Sequence, residues 1–147
     1  MPKPRQRKPQ KVWMLAPPGT GGVPIPPRIQ EQTRARIENY AAEHFAGKYT
    51  RLDIRFRTHF CYIDAFTAPP PYVQIPGYPE TEDELRERMA NIPTHLCRLR
   101  YHGSDDRWEM AFYKYSDEKY ELCILDNGSF YGTPEEGFDS AAQAYLE

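Results

Sequence analysis

Two tetrapeptides of this chain repeat the same chemistry: Thr58-His59-Phe60-Cys61 and Thr94-His95-Leu96-Cys97. Residues two apart on a β-strand share a face, so each His–Cys pair is expected to point one way. On antiparallel neighbouring strands, the two imidazoles and two thiolates would converge as a tetrahedral zinc set. The same faces continue with Ile63 and Ala65, and with Leu99 and Tyr101. That continuation is the pattern of dry core, in which free cysteine packs as a small apolar residue. The reading adopted is no metal and no cofactor, with His59, Cys61, His95 and Cys97 as the alternative ligand set.

A second run, Ala16-Pro17-Pro18-Gly19-Thr20-Gly21-Gly22-Val23, resembles the phosphate-binding loop of AAA-type ATPases but lacks its working parts. Gly22 stands where the phosphate-binding lysine is needed, and Val23 where the magnesium-binding hydroxyl is needed. Pro24, Pro26 and Pro27 also keep a helix from starting where a phosphate would want its N-terminus. Gly128-Ser129-Phe130-Tyr131-Gly132 spaces its glycines wrongly for a nucleophile elbow. His44, His59, His95 and His102 could approach a cysteine in space, and Asp53, Asp64 and Glu109 could pair as acid and base. No spacing selects any of them, so the chain leans away from being an enzyme.

The better candidate is a surface. Arg55 and Arg57 fall on the charged side of one strand, and Arg98 and Arg100 on one side of another, with Tyr62 and Tyr113 placed to share that face. Arginines interleaved with aromatics on an open sheet suit phosphate contact and base stacking. The competing reading is cross-strand pairing with Asp53, Asp64 and Glu121, which the interspersed acids favour.

Charge distribution adds a second cationic element. Residues 1–11 hold Lys3, Arg5, Arg7, Lys8 and Lys11 and no acid, a local charge of +5 in a chain of net charge −2. A basic arm on an acidic body fits a nucleic-acid or acidic partner, or serves as a solubilising tail. Three cysteines make no disulfide framework and point to a reducing cytoplasm. No apolar run is long enough for a membrane span or a signal peptide.

These side chains need elements to hold them. Residues 1–26, dense in proline and glycine, read as a flexible arm, and residues 27–147 as one α+β domain. Arg28 to Ala46 is the first helix, with Ile29, Thr33, Ile37, Tyr40, Ala41, His44 and Phe45 recurring at helical spacing. Tyr49–Arg57 alternates as a strand, dry on Leu52, Ile54 and Phe56. Thr58–Phe66 is its hairpin partner, and the prolines of 67–80 make an irregular loop. Thr81 and Glu84 form a capping box that opens a short helix with Leu85, Met89 and Ile92 inward. Thr94–Tyr101, Arg107–Tyr115 and Lys119–Asp126 are three more strands, with Leu122 and Ile124 expected in the core. Thr133, Pro134 and Glu136 start a final helix whose stripe is Phe138, Ala141, Ala142, Tyr145 and Leu146. The sum is an antiparallel sheet of about five strands with an N-terminal, a short middle and a C-terminal helix packed on it.

With those elements placed, the C-terminal half shows a pattern. Trp108…Phe112-Tyr113…Tyr115-Ser116…Glu118…Tyr120-Glu121, then Gly128…Gly132-Thr133-Pro134-Glu135-Glu136…Phe138, resembles a class of small uncharacterised bacterial proteins. Arg51–Arg57 and Phe60–Ala65 fit the same class. The resemblance implies a compact domain and supplies no catalytic residues. The leading expectation is a binding module for DNA or RNA that uses the arm and the Arg/Tyr sheet face. The alternatives are a small enzyme with a pocket of strand histidines and aromatics, and a protein–protein adaptor that presents its proline-rich segments as extended ligands.

Overall fold

Pro27 needs no ladder hydrogen bond in a first turn, and it opens the first helix, α1 (Pro27–His44). Ile29, Thr33, Ile37 and Ala41 form its buried stripe. The computed structural model describes residues 17–68, 76–77 and 79–146. The arm cations Lys3, Arg5, Arg7, Lys8 and Lys11 lie outside that set.

Clean alternation makes β1 (Arg51–Arg57), which pairs antiparallel with β2 (Phe60–Phe66) across a turn where Thr58 has a φ of 55°. The short helix α2 (Glu82–Ala90) precedes β3 (Thr94–Tyr101), β4 (Trp108–Lys114) and β5 (Lys119–Leu122). The sheet is an antiparallel meander in the order β1-β2-β3-β4-β5, and β6 (Tyr131–Gly132) continues the edge of β4 beyond the end of β5. The last helix, α3 (Pro134–Tyr145), starts on a complete capping box. The Thr133 hydroxyl accepts from the Glu136 amide at 3.1 Å, and the Glu136 carboxylate accepts from the Thr133 amide at 2.8 Å.

α1 and α3 pack on each other; α3 lies over β3 and β4, and α1 reaches β1. The core face of the sheet carries Ile54, Cys61, Ile63, Cys97, Leu99, Trp108 and Met110, all buried. Phe138 is fully buried and meets the rings of Tyr40 and Phe45 edge-on at 6.3 and 5.8 Å.

Three expectations change. α2 forms on its capping box but buries none of its residues, and Ile92 is exposed. Leu122 is half-buried and Ile124 is 57% exposed, because β5 ends at Leu122 and turns the even-numbered residues away from the helices. Cys123 and Leu125 take the core positions instead. Finally, the packed structure begins ahead of residue 27. Val23 N–H donates to the Tyr101 carbonyl at 3.0 Å, Ile25 N–H donates to the Thr58 carbonyl at 2.9 Å, and Ile25 is buried.

Candidate functional site

The sheet face turned away from α1 and α3 is organised by register. Directly opposed residues of an antiparallel pair share a face. One cross-strand row runs Arg55, Tyr62, Arg98, Ala111, Leu122. The next runs Arg57, Phe60, Arg100, Glu109, Tyr131. A third begins Asp53, Asp64, His95, and the His95 ring meets Tyr113, which opposes Tyr120. Arg55, Arg57, Arg98, Arg100, Tyr62 and Tyr113 therefore do share one face. With Arg51, this face holds five arginines against the carboxylates of Asp53, Asp64 and Glu109. It is net cationic on a chain of net charge −2.

The arginines differ in what they are committed to. Arg100 is a clamp: its Nε donates to Glu109 at 3.2 Å, and its two Nη groups donate to the carbonyls of Gly21 and Gly19 at 2.9 and 3.0 Å. Glu109, buried at 1%, also accepts from the Gly19 amide at 2.8 Å. This pair pins the segment ahead of α1 across one end of the sheet. Gly22 suits the place because its φ of 102° strains any other residue, and a Cβ would also crowd His59 at 3.0 Å and Arg100 at 3.1 Å. Arg98 lies over the Phe60 ring at 4.4 Å and the Tyr120 ring at 5.2 Å. Arg55 donates to Asp53 and, at 2.9 Å, to Asp64. Arg57 is exposed and has no ion pair among the described residues.

The alternative ligand set of His59, Cys61, His95 and Cys97 does not converge. Cys61 and Cys97 are fully buried in the core, where burial pushes both thiols up and keeps them protonated. His59 sits in the β1–β2 turn against Phe60, with its pKa lowered by burial and by Arg100 and Arg98. His95 does not share the face of Cys97. Ile63 opposes Cys97 while the next residue, Asp64, opposes His95, so Leu96 is an extra residue in β3. That β-bulge turns His95 away from the core and onto Asp64.

The consequence is a buried acid with two partners. Asp64 is 2% exposed. Its Oδ1 meets His95 Nδ1 at 3.0 Å and its Oδ2 accepts from Arg55 at 2.9 Å. Tyr113 at 4.7 Å and Tyr115 at 6.2 Å flank the imidazole, and the Tyr115 hydroxyl accepts from the His95 amide at 2.7 Å. A cleft of about 520 Å³ opens above this cluster, lined by Arg55, Phe56, Arg57, Tyr62, His95, Tyr113 and Tyr120. Burial, with Asp64 next in effect, raises the Tyr120 pKa, so this wall is a neutral phenol. The Arg55–Asp64 pair is the cross-strand pairing the interspersed acids favour, whereas the bulge, the Asp64–His95 contact and the roles of Tyr115 and Tyr120 carried no signal in the sequence beyond residue type.

An antiparallel meander with two helices on one face and an aromatic, arginine-bearing cleft on the other thus defines the class of this protein. No protein-family model, curated protein or solved structure matches the chain.

Proposed function

We propose that this protein is a nucleic-acid-binding module whose cleft takes single-stranded RNA or DNA, the bases against its tyrosines and the phosphates against its arginines. The observation that carries the reading is the cleft itself, with its wall of guanidinium and phenol groups on the cationic face of an acidic chain. Rings with open π-faces take bases of any sequence, and arginines beside them take the backbone. The five cations of residues 1–11 would add sequence-independent attraction. A cytoplasmic location fits the three free cysteines.

The test is fluorescence anisotropy of labelled single-stranded and duplex oligonucleotides over a salt series. Single strands should bind better than duplex, with affinity falling linearly in log–log form. Each lost phosphate contact lowers the slope by about 0.7 on single strands. Arg57→Ala should therefore reduce it by about 0.7, and deletion of residues 2–11 by up to about 3.5. Tyr62→Ala should weaken binding with the slope unchanged, at a cost of about 1–3 kcal/mol per stacked base. No anisotropy change at low salt with micromolar protein would sink the reading.

A further inference from the structure

Binding alone leaves one feature of the cleft unused. A phosphate site needs cations, yet this one places an imidazole on its wall and fixes it from behind with a buried carboxylate. The Asp64 carboxylate, which already accepts from Arg55, lies 3.0 Å from His95 Nδ1, and an ionised carboxylate can only accept, so Nδ1 carries the proton. That bond selects the tautomer whose Nε2 carries a free lone pair. His95 is 36% exposed in its side chain and lines the cleft, so Nε2 is the nitrogen left to whatever enters. An imidazole held at Nδ1 by a buried acid, with its ring fixed by neighbours, is the arrangement of a general base.

We propose that His95 is the general base, and Asp64 its positioning residue, of a phosphodiester transfer on RNA bound in the cleft. This rests on the nucleic-acid reading above. His95 Nε2 takes the proton of a ribose 2′-hydroxyl. The freed oxygen pair forms a bond to the adjacent phosphorus and the P–O5′ bond breaks. The departing 5′-oxygen takes a proton from water, and His95 returns its own proton to water. The products are a 2′,3′-cyclic phosphate and a 5′-hydroxyl, and the step balances with no other reactant. Arg55 and Arg57, on the same cleft, face the charge that grows on the phosphoryl oxygens. DNA lacks the attacking hydroxyl, so it binds and stays intact.

The experiment uses the full chain with a labelled RNA oligomer and the all-deoxy oligomer of the same sequence, reading cleavage on gels and affinity by anisotropy. The expected result is cleavage of the RNA to cyclic-phosphate ends, with the deoxy strand bound and uncut. His95→Ala should slow cleavage by about 10²–10⁴-fold. The variant should still bind the deoxy strand measurably, its urea-unfolding midpoint reports that it is folded, and added imidazole should restore part of the rate. His95→Gln, which keeps a donor near Asp64, should bind and not cut. Asp64→Asn should lower kcat at unchanged KM and resist rescue by imidazole. Binding of both strands with cleavage of neither would overturn the general base and leave the binding reading intact. Binding of neither would overturn both. Equal cleavage by the wild type and His95→Ala would assign the activity elsewhere and overturn the proposal.

Discussion

Replacing Gly137 by alanine sets two opposed effects against each other. Gly137 lies inside α3, where alanine is favoured over glycine by about 1 kcal/mol. On propensity alone the substitution stabilises. The packing reverses the sign. A Cβ at this position would stand 2.6 Å from Leu99 Cδ2 and 3.3 Å from Met110 Cγ. Leu99 is 0% and Met110 1% exposed, so neither has free space to yield into. Overpacking of a filled core costs about 1–3 kcal/mol, which leaves a net loss of about 1 kcal/mol after the gain in propensity. For a domain of this size that lowers Tm by about 2–4 °C. Urea unfolding followed by tryptophan fluorescence measures it. Leu99→Ala supplies the control, because it removes the clashing methyl. In that background Gly137→Ala should become stabilising. A coupling between the two sites below about 0.5 kcal/mol, or stabilisation in the wild-type background, would refute the close approach of α3 to β3.

Four further outcomes are expected. Phe138→Ala should cost about 3–5 kcal/mol in urea unfolding, since the fully buried ring closes α1 onto α3; a loss under about 1 kcal/mol would mean α3 does not dock. Thr133→Ala removes the cap that accepts from the Glu136 amide and should cost about 1 kcal/mol. Arg55→Ala should cost more than Arg57→Ala: removing one partner of buried Asp64 costs about 1–3 kcal/mol, towards the lower end because the Arg55 side chain is 46% exposed, while Arg57 should stay within about 0.5 kcal/mol. His102 has a pKa lowered by burial and by Arg107, Arg100 and His59, so the unfolded chain binds more protons; stability is full above the unfolded pKa of about 6.5 and falls as pH drops below it, and His102→Gln should flatten that acid slope in urea midpoints.

The fold is legible in the sequence wherever its cause is local. Pro27 opens α1, the Thr81–Glu84 and Thr133–Glu136 boxes open α2 and α3, and strict alternation writes β1. The same locality explains the misses. A capping box specifies a helix whether or not anything packs on it, so α2 forms without burying Leu85, Met89 or Ile92. In Lys119–Asp126 apolar residues occupy both parities, so alternation alone does not say which set meets the helices. Neighbours decide it. Gly19 brings backbone against Leu122 on the outer face, and Cys123 and Leu125 are left to close the core.

The cleft divides along the same line. Its arginine and tyrosine rows follow from period-two alternation once the strands lie in meander order, which is why Arg55, Tyr62 and Arg98 were readable as one set. The Asp64–His95 contact was not, because it depends on the one extra residue in β3. Without the bulge, Asp64 would oppose Leu96, and His95 would point with Cys97 into the core. No glycine or proline marks the place, and Leu96 is itself buried, so the bulge resembles ordinary strand sequence. A single inserted residue therefore separates two chemistries for the same side chains. Unbulged strands would gather histidine and cysteine on one face, as a metal site requires. The bulged strand seals the cysteines in the core and delivers the histidine, held by a carboxylate, to a cleft of tyrosines and arginines.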